Sequence, residues 1–248
     1  MKIQSLGPHA DDPRDEQRRQ FLLRALAAGW LIGESGWSST AIAGVLGEVP
    51  ARLAADRSIF TLSGEVWVNG QPADKKTRIG INDQVRTGRN SHVVAVVGAD
   101  AFMMRGNSEL QLGAARNAKR FFRLVSGALL TVFGPRDDGV DLNAPTVTVG
   151  IRGTGVYMEV EPDRTYLCTC YGQTLLSAVA DANVSETVTA QHHDGRYIYA
   201  KPVNGRLIEP APFINHTDLE LMMLESLVGR EVPFALGEKD YQGPRRDY

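Results

Sequence analysis

From Ile59 to about Ala180 the chain is a succession of short apolar or alternating segments broken by turn residues. Alternation of apolar and polar positions is the period of a half-buried β-strand. Glu65-Val66-Trp67-Val68 runs into Asn69-Gly70, a pair suited to a tight hairpin because both central residues of such a turn need positive φ. His92 to Val97 is β-branched and apolar enough for a buried strand, and Gly98-Ala99-Asp100 turns it. Ala101 to Arg105 continues, Gly106-Asn107 turns again, and Ser108 to Leu112 alternates. Phe121 to Val125 and Ala128 to Phe133 read as two strands separated by Ser126-Gly127. Thr146 to Val149, Gly155 to Val160 and Thr165 to Cys170 complete the series. Turn signals recur about every 8–12 residues, the spacing of an all-β sandwich, barrel or roll.

Two segments break this pattern. Near the C-terminus, Thr217-Asp218-Leu219-Glu220 forms a capping box, and Leu219, Met222, Met223 and Leu227 suggest an apolar stripe on a helix over 218–228. Gly229 is placed to end that helix in a left-handed conformation. At the other end, Arg18-Arg19-Gln20-Phe21-Leu22-Leu23 precedes a modestly apolar, Ala/Gly-rich stretch. This resembles a twin-arginine export signal, with Arg18, Arg19, Phe21 and Leu22 as its marks and Ala41-Ile42-Ala43 as a small-x-small cleavage site. The competing reading is an amphipathic helix packed on the domain.

Several runs together resemble the FecR domain family. They are Gly64-Glu65-Val66-Trp67-Val68-Asn69-Gly70, then Ile81-Asn82-Asp83-Gln84-Val85-Arg86-Thr87-Gly88 with Asn90-Ser91, then Arg123 to Leu129 and Val149 to Gly155. The chain departs from the family at Ile81-Asn82-Asp83, where Asn82 stands in place of a turn glycine. The resemblance implies a periplasmic all-β module, a two-layer solenoid or roll of short strands, here with one C-terminal helix. Family members include relays between an outer-membrane transporter and a sigma factor. Such regulators carry a cytoplasmic domain ahead of a membrane helix, and about 17 residues before the arginine pair are too few for a folded domain. The expected layout is an export signal and linker over 1–56, a FecR-like β domain over 57–180, a C-terminal extension over 181–234 and a flexible tail over 235–248.

Composition narrows the function. The 248 residues carry a formal net charge of -2, with 43% hydrophobic and 23% charged residues. That balance gives no basic field for nucleic acid, and no apolar run approaches the ~20 residues of a membrane span. Motifs for a serine-nucleophile elbow, a His-Glu-x-x-His metalloprotease or a phosphate-loop lysine are absent, so no catalytic residue is assigned. Arg152-Gly153-Thr154-Gly155 superficially echoes a phosphate loop, but Val156 to Val160 reads as strand, which makes Arg152, Gly153 and Thr154 a strand corner.

One constellation could carry chemistry. Cys168 and Cys170 are the only cysteines. On a strand they share a face, with Cα atoms roughly 6.5–7 Å apart and parallel side chains. That is poor disulfide geometry. The open readings are a strained disulfide, two buried thiols, or a metal site. His192, His193 and His216 supply candidate co-ligands, although in an extended segment His192 and His193 face opposite sides. Two thiolates with one or two imidazoles suit zinc or copper; otherwise no cofactor is expected. Two functions follow as expectations. The first is an exported, non-catalytic binding, scaffold or signalling module contacting a cell-envelope protein or polymer. The second is a metal-binding or redox-active exported protein built on the cysteine pair.

Overall fold

The structure, a computed structural model, describes residues 50–114 and 119–234. The residues of the export-like segment (Arg18, Arg19, Phe21, Leu22) and the tail 235–248 lie outside them. The strands are β1 (Ile59–Ser63), β2 (Val66–Val68), β3 (Gln71–Pro72), β4 (Gln84–Thr87), β5 (His92–Val97), β6 (Asp100–Met104) and β7 (Glu109–Ala114). They continue with β8 (Arg120–Val132), β9 (Val140–Ala144), β10 (Val147–Ile151), β11 (Gly155–Val160) and β12 (Arg164–Ala178). Then follow β13 (Ser185–Ala190), β14 (Asp194–Val203), β15 (Arg206–Ala211) and the helix α1 (Asp218–Leu227). The described part of the chain is thus mostly β, with one helix near its C-terminal end. Among the described residues no helix is long and apolar enough to cross a membrane.

The strands form two layers. The first sheet runs β1-β5-β6-β8-β11-β12-β14-β15, all antiparallel. The second runs β3-β2-β4-β7-β8-β9-β10-β12-β13, antiparallel except for the parallel β8–β9 pair. β8 and β12 belong to both. β8 pairs with β7 as far as Ser126 and with β11 from Gly127 onward. β12 pairs with β11 up to Tyr171 and with β13 from Gly172. The switch falls on a glycine each time, at φ 78° in Gly127 and 84° in Gly172, a conformation that side chains other than glycine resist. Ser126-Gly127 therefore bends one long strand rather than separating two. The reason is tertiary: the chain passes from one layer to the other without leaving its ladder.

Local turn chemistry fits the sequence. Asn69 and Gly70 both take positive φ, closing the β2–β3 hairpin between Val68 and Gln71. Asn82 takes φ 78° and stands in for the turn glycine. Arg152-Gly153-Thr154 joins β10 to β11, with Gly153 at φ 65° and the buried Thr154 hydroxyl donating to the Gln173 carbonyl at 3.0 Å.

The core lies between the layers. Phe102 of the first sheet and Phe122 of the second meet edge-on at 6.3 Å, and Phe133 packs on Phe122 at 5.2 Å. Strand alternation sends Val156, Met158 and Leu167 into this core and leaves Tyr157, Tyr166, Cys168 and Cys170 on the opposite, outer face. That outer face is also buried, because the segment leading into α1 packs over it, while α1 itself packs on the neighbouring β6 and β8.

α1 forms where the capping signals place it. The Thr217 hydroxyl accepts from the Glu220 amide, and the Glu220 carboxylate accepts from the Thr217 amide. At the other end the Gly229 amide donates to Ser226 and the Arg230 amide to Glu225, closing a Schellman motif. The buried stripe differs from the one expected. Leu221, Met223, Leu224 and Leu227 are buried, while Leu219 and Met222 are half-buried. The helix is rotated because its acidic residues also face inward. Glu220 pairs with Arg105 at 2.9 Å, and Glu225 accepts from the Tyr171 hydroxyl and from Arg230.

Candidate metal centre

Cys168 and Cys170 lie in the middle of β12, flanked by β11 and β14. Both are free thiols with no exposed surface. Gly195 sits opposite Cys168 on β14, where an added Cβ would fall 2.7 Å from the Ala211 carbonyl oxygen.

Two histidines meet these sulfurs. His193 occupies the turn between β13 and β14 at φ 48°. Its amide donates to the Cys170 carbonyl at 2.9 Å, which ties the turn to the cysteine strand. Its Nδ1 lies 3.6 Å from the Cys168 sulfur. His216, fully buried just before α1, stacks on Tyr157 at 4.5 Å and places Nε2 3.3 Å from the Cys170 sulfur. The two facing ring nitrogens are 3.2 Å apart. One ligand atom from each of Cys168, Cys170, His193 and His216 thus lies within 4.8 Å of every other.

The outer nitrogens fix the tautomers. His216 Nδ1 lies 2.7 Å from the Ile214 carbonyl oxygen, which can only accept, so Nδ1 carries the proton and Nε2 offers a lone pair. His193 Nε2 lies 2.7 Å from Asp218 Oδ1, a carboxylate that accepts in the same way. Nδ1 of His193 therefore faces the sulfurs. Support of a ligand histidine by a carboxylate or carbonyl is the usual outer shell of a protein metal site.

His192 is placed differently. Its Nε2 approaches Asp218 at 2.9 and 3.0 Å, and its side chain is 38% exposed. The structure brings four of the five expected ligands to one point and sets the fifth outside it, on the carboxylate that holds His193. Positive φ at His193 is what turns the two neighbouring rings toward the same carboxylate.

Charge is redistributed within the pocket. Burial and the adjacent Cys168 push the Cys170 thiol well up. Burial would also raise Cys168, but hydrogen bonding from Cys170 and the charges and contacts of His216 and His193 bring it well below an ordinary thiol. Burial opposes protonation of His193; its bonds to Asp218 and Cys168 outweigh this and raise it. Asp218 is lowered, because bonds to His193 and His192 outweigh its burial.

Arg152, Gly153 and Thr154 belong to the β10–β11 corner and contribute no ligand atom to this group. Asp218, which accepts from both His192 and His193, is the neighbour of this group that pattern reading misses. In the sequence it looks only like an acidic residue in the first helical turn, and that position was the available signal.

No protein-family model matches the chain, and no curated protein does. Among solved structures, two crystal structures of a proposed anti-sigma factor from Parabacteroides distasonis align with a TM-score of 0.44 at 7% identity. The alignment covers 52% of this chain and spans 58% of the length of that one.

Proposed function

We propose that this chain is an exported, non-catalytic β module of the FecR type that holds one zinc ion through Cys168, Cys170, His193 and His216. The observation that carries this reading is the geometry of the four ligand atoms. Zinc with bonds of about 2.0–2.1 Å to nitrogen and about 2.3 Å to sulfur spans tetrahedral edges of about 3.4 Å (N–N) and about 3.5 Å (N–S). The corresponding distances in the structure are 3.2 Å between the nitrogens and 3.3 and 3.6 Å between nitrogen and sulfur. Two lone-pair nitrogens held that close require a cation or a proton between them, and the pocket supplies two sulfurs to complete the shell. Three edges of zinc length, with all four donor atoms within 4.8 Å of one another, suit an S2N2 structural zinc shell; copper shares these donors but is less favoured by this geometry. Oxygen donors in the shell would have pointed elsewhere.

The export part of the proposal rests on the Arg18-Arg19 segment and on the FecR-like runs. The partner would be a cell-envelope protein or polymer. Exposed Leu175 on β12, Val179 just after it and Val203 at the end of β14 offer apolar contact surface to such a partner.

Elemental analysis of natively purified protein tests the centre. The expected result is about one zinc per chain, lost in Cys168→Ser and in His216→Ala. In the wild type a chelator should lower the melting temperature, and in the variants it should not. Metal content far below one ion per chain, with no chelator effect, would refute the reading. Copper at the same stoichiometry would correct the metal and leave the site standing.

A further inference from the structure

Tyr166 stands two residues before Cys168 on the same strand and on the same face. It is fully buried, and its hydroxyl makes no hydrogen bond of normal length and angle among the described residues. The hydroxyl lies over Gly195, the cross-strand neighbour of Cys168, close enough that a Cβ there would stand 3.2 Å from the oxygen. Among the polar groups near it are the Ile214 backbone and the sulfurs of Cys168 and Cys170. A buried hydroxyl without a partner is unfavourable, and native structures retain few of them. Tyr157, its neighbour at 6.0 Å, shows the ordinary solution by donating to Glu159 at 2.9 Å.

We infer that the Tyr166 hydroxyl is a positioning donor to the Cys168 thiolate of the loaded metal centre. This rests on the zinc reading above. A metal-bound thiolate keeps lone pairs beyond the one it gives the ion, and in this dry pocket they need a donor. Glycine at 195 leaves the notch through which the hydroxyl reaches that sulfur. A bound metal fixes the Cys168 sulfur as a thiolate acceptor beside a hydroxyl that makes no full hydrogen bond otherwise, so Tyr166 favours the loaded state.

Cobalt(II) loading of wild type, Tyr166→Phe and Tyr157→Phe tests this through the thiolate-to-cobalt charge-transfer band. Removing a hydrogen bond from a thiolate raises its donor level. Tyr166→Phe should therefore move the band to longer wavelength and weaken cobalt binding about three- to tenfold, whereas Tyr157→Phe should leave the band in place. Metal-free Tyr166→Phe should melt no lower than metal-free wild type, because an unsatisfied group has been removed. A merely structural tyrosine would lose stability in both states and leave the band unmoved. In cadmium-loaded wild type, which needs no substitution, the Tyr166 hydroxyl proton should appear as a slowly exchanging resonance absent without metal. An unmoved band, or no such resonance, overturns the role of Tyr166 alone. A wild-type protein that shows no charge-transfer band at all overturns the metal centre itself.

Discussion

Asp218 accepts from two imidazoles at once, His193 at 2.7 Å and His192 at 2.9 Å, while sitting in the first turn of α1. Its negative charge orients His193 and makes that ring a better donor to a cation. Asp218→Asn keeps the shape and removes the charge. Metal affinity should fall about 10-fold or more, read by competition titration against a chelator of known affinity; unchanged affinity would mean that Asp218 only caps the helix. At this scale the sequence was partly legible. Same-face placement of Cys168 and Cys170 follows from strand periodicity alone. The choice between His192 and His193 does not, because it depends on one backbone dihedral, φ 48° at His193, that no apolar pattern encodes. Tyr166 looked like any aromatic strand residue, since nothing local reveals an unsatisfied hydroxyl.

Short strands, glycine and asparagine turns and the capped helix were readable because each is set by its own few residues. Asn69-Gly70 closes a hairpin by its own φ preferences, and Thr217 with Glu220 starts α1 by its own hydrogen bonds. Long elements were not readable in the same way. β8, with 13 residues, reads as two short strands and β12, with 15, only as its first half, because each bends at an internal glycine. Which layer each half joins is decided by partners far away in sequence. Gly127 makes the bend testable. At φ 78° an alanine is strained, and its Cβ would stand 2.6 Å from the Ser108 Cα. Gly127→Ala should cost at least about 2 kcal/mol, the left-handed penalty plus the clash, seen as a lower urea midpoint. A loss below about 0.5 kcal/mol would show that the corner relaxes freely. The stripe of α1 was misjudged for a related reason. Inward-facing Glu220 and Glu225 find Arg105, Tyr171 and Arg230 only in three dimensions.

Across the molecule, α1 is held to the sheets by buried charged side chains as well as by apolar contact. Burial raises Glu225 above the usual 4.5, and nearby Asp100 is likewise raised by burial. A carboxyl raised in the folded state binds its proton more tightly there than in the unfolded chain. Its stabilisation is complete below the unfolded value and is lost as pH rises through the folded one. The melting temperature of wild type relative to Glu225→Gln should therefore rise as pH falls from 7 toward 4.5 in calorimetry on metal-free protein. A flat or opposite trend would show that Glu225 is no more burdened by its setting than an exposed carboxyl. The all-β class, with a helix near the end, was legible across the described residues, because turn spacing and strand composition repeat along the chain. Packing of the segment ahead of that helix over the cysteine face was not, because nothing in a strand's own residues says what will cover its second side.

β8 and β12 hydrogen-bond in both layers, and that sharing removes any seam along which the layers might peel apart. Either layer could detach only by tearing its own members from the other, so partial melting is confined to the margins formed by β1, β3, β13 and β15. Inside those margins the two walls stand or fall as one body.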